Sequence, residues 1–332
     1  MIDGVKTAVA NVTFWFGYYW YKTFNKTPWY SYLSLRKLFY TTNTQFNKRL
    51  SAQIAEENSV YGNIVPSGVL GKLTQNDLKE ISNKIQQDGY YIFPTSLSEK
   101  AIEDLTQLSF QTKAKLVPRP AGADEFALFD RANPKTIKYQ YFEQDVVQDP
   151  TVQKLIADES ILAVSQEFLK SKPILDLISM WWSTAISKTA SSEVAQLYHW
   201  DMERIKFVKF FFYLTDVDSN TGPHCFIKGS NNGFPDSVRR DGRISDEEIK
   251  KAYPPEKIIE ITGKKGTILA VDTSGFHKGK SLQNGDRLLL QFEFSNSLFG
   301  VNSEYFTVEN PVAELKKSAT AFPFVYQRYT LK

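Results

Sequence analysis

The stretch "QLYHWDMERIKFVKFFFYL", residues 196–214, is where the reading of this chain turns. From Arg204 onward it is β-branched and aromatic, the composition of a buried strand. Just ahead of that strand stand His199 and Asp201, and the whole chain holds only three histidines. On extended backbone, residues i and i+2 project from one face roughly 7 Å apart. An imidazole nitrogen and a carboxylate oxygen can therefore converge on one ion. The same spacing also suits an ordinary hydrogen-bonded His–Asp contact, so the pair needs support from elsewhere.

The texture of that strand recurs around it. "ILDLISMWWSTAIS" (174–187), "EKIIEIT" (256–262), "GTILAVD" (266–272) and "RLLLQFEFS" (287–295) are similar runs, separated by turn signals such as Asn-Thr-Gly-Pro and Asn-Gly-Asp. Short, closely spaced strands without intervening helices argue for an antiparallel sandwich or barrel, with a jelly roll the expected closed form. Upstream the pattern is helical. Helices are predicted over 44–57, over 75–87 with Gly89 as the stop, after a Ser98 N-cap, and over 151–170, with "YYIFP" a short strand stopped by Pro94. Residues 61–74 read as a connector. The class is α+β, helices first and then a β core.

Apolar residues make up 42% of the 332 and charged residues 23%, an ordinary soluble globular composition. A net charge of +3 gives no reason to expect nucleic acid as a partner. The single cysteine, Cys225, rules out an intrachain disulfide and fits the cytoplasm. The charge is uneven: residues 1–50 carry +6, the remainder −3, and the same fifty residues hold 14 of the 47 aromatics, including "FWFGYYWY" at 14–21. That segment has neither the layout of a signal peptide nor the roughly 20 apolar residues of a spanning helix. Val5, Val9, Val12, Phe16 and Tyr19 fall near helical spacing and predict an amphipathic helix. It could pack on the main domain, or form an aromatic, basic surface for a membrane or a lipid-linked substrate. Composition leaves both open.

The second histidine, His277, lies in "DTSGFHKGKSLQNGDRLLLQFEF", after one apolar strand and before another. Strands sharing a sheet would set it beside His199 and Asp201, and two imidazoles with one carboxylate form the facial triad of non-haem Fe(II) oxygenases. Arg287 follows ten positions later, at the head of a strand that the Asn284–Gly285 turn is expected to fold back on its predecessor. A guanidinium there needs an anion, either a local carboxylate or the distal carboxylate of 2-oxoglutarate. His224, beside Cys225, is read as a structural histidine hydrogen-bonded within its turn. Tyr198 and Trp200 alternate with the ligands and are expected in the core. Trp182 and Ser183 suit either core or pocket wall, and Arg119 and Arg131 sit in an irregular segment that could cover the site.

With these pieces assembled, the chain resembles the phytanoyl-CoA dioxygenase family of Fe(II)/2-oxoglutarate oxygenases. The matching stretches are "QQDGYYIFPTSLSEKAIEDL", His-x-Asp at 199–201, "FYLTDVDSNTGPHCFIKGS" at 212–230, and the His277–Arg287 segment, together spanning about residues 75–296. One departure is "KGSN" (Lys228 to Asn231) where many members have "PGSH". The resemblance implies a double-stranded β-helix (jelly-roll, cupin-like) core flanked by N-terminal helices. It implies His199, Asp201 and His277 as iron ligands, Arg287 as the anchor of 2-oxoglutarate, and O2 as co-substrate. An intact Asp201 favours hydroxylation over halogenation. The expected organisation is a helical, aromatic and basic extension over 1–70 and an oxygenase domain over 71–332. The expected reaction is hydroxylation of a small molecule, lipid-linked or a specialised metabolite. A protein side-chain hydroxylase and a catalytically inactive ligand-binding module are the alternatives.

Overall fold

The computed structural model describes residues 2–332, with side chains from Thr7 onward. Val5 and Lys6 of the predicted N-terminal surface lie outside those described side chains. Three helices come first: α1 (Ile2–Phe24), α2 (Trp29–Thr41) and α3 (Gln45–Glu57). A small hairpin, β1 (Ser67–Gly68) and β2 (Gly71–Lys72), leads into α4 (Gln75–Asp88), β3 (Tyr90–Ser96) and α5 (Glu99–Gln111). Strands β4 (Ala114–Val117), β5 (Phe126–Ala127) and β6 (Lys138–Gln140) follow, then helices α6 (Glu143–Val146), α7 (Pro150–Ile156) and α8 (Glu159–Leu169). The β core comprises β7 (Ile174–Thr184), β8 (Phe207–Tyr213), β9 (His224–Ile227), β10 (Ile258–Ile261), β11 (Thr267–Val271), β12 (His277–Gly279) and β13 (Asp286–Ser295), with α9 (Asp246–Ala252) inserted. The chain closes with β14 (Phe306–Val308), α10 (Ala313–Ala321) and β15 (Tyr329–Leu331).

Local chemistry explains many boundaries. Thr74 and Asp77 form a reciprocal capping box on α4, and Gly89 ends it with φ 90°, a conformation that glycine adopts without penalty. Ser98 accepts the Ala101 N–H at the start of α5. The expected single helix over 151–170 is two, because the Asp158 side chain caps a new helix at Ser160 and Ile161. Pro94 does not stop its strand either. It lies inside β3, the edge strand of the large sheet, where one side of the backbone has no ladder to donate to.

Eight antiparallel strands form that sheet in the order β3-β11-β8-β13-β7-β6-β4-β5, facing a smaller sheet, β10-β9-β12. Alternation along β8 divides its aromatic run between two cores. Phe210 and Phe212 pack outward against the helices, with Leu288, Leu290 and Phe292 of β13. Phe211 and Tyr213 point inward, with Leu289, Val271 and, from the small sheet, Phe226 and Ile261. Each buried phenylalanine is worth about 1.5–3 kcal/mol. The outer face of the small sheet (Cys225, Ile227, Phe276) is covered by α1–α3 through Phe14, Leu35, Leu38 and Phe39. Two facing antiparallel sheets with a shared interior, flanked by helices, are the jelly-roll arrangement.

The tertiary structure corrects the sequence on one further point and decides another that the sequence left open. β13 pairs with β7 and β8, not with β12, so the Asn284–Gly285 turn carries the chain from one sheet across to the other. In α1 the stripe Val9, Val12, Phe16 and Tyr19 is the exposed side, at 61%, 72%, 58% and 64%, while Ala10, Phe14 and Tyr18 are buried.

Arg204 fixes the segment that follows the His-x-Asp motif. Its guanidinium grips Asp176 of β7 in a buried fork at 2.5 and 2.8 Å and donates to Ser303 and the Val301 carbonyl. Asp176→Ala would leave this cation buried and unpaired, so urea denaturation should show a loss of about 3 kcal/mol. A loss below about 1 kcal/mol, the range of exposed pairs, would contradict that role.

Candidate active site

His199 is held beside His277 by a two-way backbone bridge, His199 N–H to the His277 carbonyl at 3.0 Å and the reverse at 2.8 Å. The Asp201 N–H donates to the Thr273 carbonyl at 2.8 Å. Each histidine places Nδ1 against a carbonyl two residues back, Leu197 O at 2.9 Å and Gly275 O at 3.0 Å. The Nδ1–H tautomer satisfies both contacts and leaves Nε2 with a free lone pair, the usual preparation of metal-binding imidazoles. Nε2 of His277 lies 3.2 Å from one Asp201 oxygen, and Nε2 of His199 lies 3.5 Å from the other. One ligand atom from each residue falls within 4.8 Å of the others, so the three side chains suit a single ion.

Electrostatics favour the ligating protonation states. Burial, then the neighbouring His277, pushes His199 down to about 3, so its imidazole is neutral. Burial alone would raise the Asp201 carboxyl, but Lys209, with His277 and His199 behind it, holds it well below the usual carboxylate range. Lys209 of β8 reaches Asp201 at 2.7 Å, Glu293 at 3.3 Å and Glu203 at 3.4 Å. Against the cost of burial, these carboxylates keep its ammonium well above its ordinary value.

The site opens into a cavity of about 260 Å³ between the sheets, with Arg287 also on its wall. Arg287 is 4% exposed. Nη2 meets Ser183 Oγ at 3.3 Å, whereas Nε and Nη1 have no hydrogen-bond partner among the described residues. Neither Asp286 nor Glu293 satisfies it: Asp286 pairs with Arg131 and Glu293 with Lys209. Burial lowers this guanidinium to about 10. All four residues singled out in the sequence thus line one cavity.

Other placements differ from expectation. His224 is not tied within a turn; it sits on β9 in the cavity wall, stacked on His277 with ring centroids 5.5 Å apart, and its Nε2 has no partner among the described residues. Arg119 and Arg131 do not cover the cavity: Arg119 bonds the Ala123 carbonyl, and Arg131 lies over Phe110 and Trp182 on the helical side. Trp182, Tyr198 and Trp200 are core, and Ser183 is wall. Two cations escaped the sequence reading. A lysine amid an apolar strand signals Lys209 as clearly as it did Arg287. Lys138 had no such flag, because β6 is three residues long. It pairs across Ser183 in register with Arg287, and its ammonium stacks on Trp181 at 4.6 Å. Burial, then Arg287, pushes it down to about 8.

The sequence profile of the phytanoyl-CoA dioxygenase family matches residues 85–287. That is more than half of the chain, which belongs to this family and is an Fe(II)/2-oxoglutarate-dependent oxygenase. Similar solved structures include EctD from S. alaskensis with 2-oxoglutarate and 5-hydroxyectoine, at 16% identity over 76% of this chain and 86% of that one, TM-score 0.48. HygX from Streptomyces hygroscopicus with nickel, 2-oxoglutarate and hygromycin B bound is 17% identical over 74% and 94%, TM-score 0.46. The epimerase SnoN in complex with Fe3+, alpha ketoglutarate and nogalamycin RO is 17% identical over 67% and 84%, TM-score 0.48. The comparison with curated proteins finds no match.

Proposed function

We propose that the chain hydroxylates an aliphatic C–H of a small molecule, with His199, Asp201 and His277 holding iron and Arg287 anchoring 2-oxoglutarate. The observation that carries this reading is the Arg287 guanidinium, buried with two unpartnered nitrogens on the wall shared by three convergent metal-ligand atoms. When bound, iron and 2-oxoglutarate supply the oxidising power, with 2-oxoglutarate leaving as succinate and CO2. The chain supplies position. The Leu197 and Gly275 carbonyls orient the two imidazoles, and Lys209 holds one Asp201 oxygen. Arg287 offers a fork to a distal carboxylate, and Lys138, one strand beyond Ser183, adds a second positive charge suited to a diacid. Trp181, Leu177 and Leu289 wall the cavity with apolar surface. Its volume suits a small substrate better than an extended peptide, and the complete residue set argues against an inactive module.

Anaerobic Fe(II) titration with 2-oxoglutarate should produce a weak visible charge-transfer band, and aerobic incubation should release succinate. Absence of both from metal-loaded protein would end this reading. Lys138→Met should weaken 2-oxoglutarate binding by about fivefold, close to 1 kcal/mol. Unchanged affinity would remove Lys138 from the diacid's surroundings.

Residues 1–70 are proposed as an extension on the oxygenase domain, in keeping with a family match that begins at residue 85. A cytoplasmic setting fits the single, buried Cys225. No helix among the described residues is long and apolar enough to cross a membrane. Peripheral contact through residues 1–50 is supported by the exposed stripe on α1, continued by Phe24, Trp29 and Tyr30. Anionic vesicles should co-sediment the full chain, and Phe16→Ser with Phe24→Ser should leave it in the supernatant. Equal recovery of both proteins would remove the contact.

A further inference from the structure

A second cavity, about 490 Å³, lies between α3 and the oxygenase domain and shares no lining residue with the catalytic one. Its α3 wall precedes the region matched by the family profile. Opposite stand the end of α8 and the segment from Met202 to Phe207. The lining is mainly apolar, with Phe39, Phe168, Leu169, Met202, Ile205 and Phe207. Three lysines break it, of which Lys170 is paired with Glu167. The Lys206 ammonium donates to the Phe168 carbonyl at 2.5 Å and stacks on that ring, while Lys48 contacts the neutral Asn232 amide at 3.2 Å. Neither has a carboxylate within ion-pair distance among the described residues. The acid on this wall, Asp272, accepts hydrogen bonds from Ser274 and Asn231 and lies beyond ion-pair distance of Lys206; burial raises its pKa while those donors and the Lys206 charge oppose the rise. Burial, with the charges of Lys170 and Lys48 behind it, pushes Lys206 down to about 8 against the opposing pull of Asp272. Asn47, 95% buried, donates through Nδ2 to the Ile205 carbonyl at 3.1 Å, and its Oδ1 has no partner among the described residues.

We infer that this cavity is a binding site for an apolar monoanion of the fatty-acid type. Its carboxylate is received by Lys206 with Lys48 at the rim, its chain lies along Phe168, Ile205 and Phe207, and a hydroxyl on it would satisfy Asn47 Oδ1. The charge follows from two cations that lack acidic partners, and the apolar body from the rest of the lining. Because the α3 wall belongs to the extension, the site also gives that segment a role besides covering the small sheet.

The test is isothermal titration of the full chain with sodium dodecanoate, below its micelle concentration, beside dodecan-1-ol and inorganic phosphate. One equivalent of dodecanoate should bind, about tenfold or more tightly than the alcohol, as one desolvated charge pair provides. Lys206→Gln should abolish that difference. Ala52→Trp, placed on the exposed cavity rim, should block the acid without disturbing the core, and decides the matter should the Lys206 variant fail to fold. Both variants should keep the Fe(II)–2-oxoglutarate absorption band, which reports the catalytic site separately. Dodecanoate failing to bind, dodecanol binding equally well, phosphate alone matching the acid, or Ala52→Trp having no effect would each overturn the proposal.

Discussion

Arg287→Met is expected to weaken 2-oxoglutarate binding by about two to three orders of magnitude while making the metal-free protein more stable. The two effects have one cause. In the free chain the guanidinium is nearly fully buried, with a single hydrogen bond to Ser183 and two nitrogens left without partners. Such a group costs free energy until an anion arrives. Methionine fills a similar volume without the charge, so the unliganded fold should gain about 1–4 kcal/mol. In a chain of this size that raises the melting temperature by a few degrees, at roughly 1–2 °C per kcal/mol. With ligand the sign reverses, because the carboxylate loses its fork and enters the cavity uncompensated. Calorimetric binding and thermal melting of the same two proteins read both numbers. A variant that melts lower and binds 2-oxoglutarate unchanged would show that Arg287 is a structural residue whose charge serves the fold.

Asp201→Ala should cost more than 100-fold in Fe(II) affinity, beyond the ~10–100-fold typical of losing an outer hydrogen-bond partner of a metal ligand. It should eliminate succinate release. The fold should survive, because Lys209 keeps Glu203 and Glu293 within 3.4 Å after Asp201 is gone. The predicted signature is therefore a folded, metal-free protein with near-normal circular dichroism and no charge-transfer band. Fe(II) binding within threefold of the parent would place the metal elsewhere, whereas global unfolding would mean that the Asp201–Lys209 pair is part of the scaffold.

Much of the candidate site was legible because its signals are local. His199 and Asp201 share a face through strand geometry alone, and Arg287 stood out as a charge heading an apolar run. Lys209 carries the same signal, a charge within an apolar run, and it helps set the ionisation of Asp201. His224 was misread because a Gly-Pro-His sequence looks like a turn, while the strand it opens, and the ring it stacks on, come from pairing with β10 and β12. Lys138 gave no local sign at all; its position beside Arg287 depends on two strand registers that meet at Ser183.

By itself the sequence determined the helix cap at Ser98, the stop at Gly89, the buried runs that become β8 and β13, and the His-x-Asp pair. Each depends on dihedral preferences and side-chain reach within a few residues. Only the tertiary structure decided that the turn at Asn284–Gly285 crosses between sheets, that Pro94 is harmless on an edge, and that the stripe of α1 faces outward. Strand partnership and the direction of an amphipathic face are set by competition among distant surfaces for the same core. A local pattern records that a surface is apolar, and the rest of the chain decides what it meets.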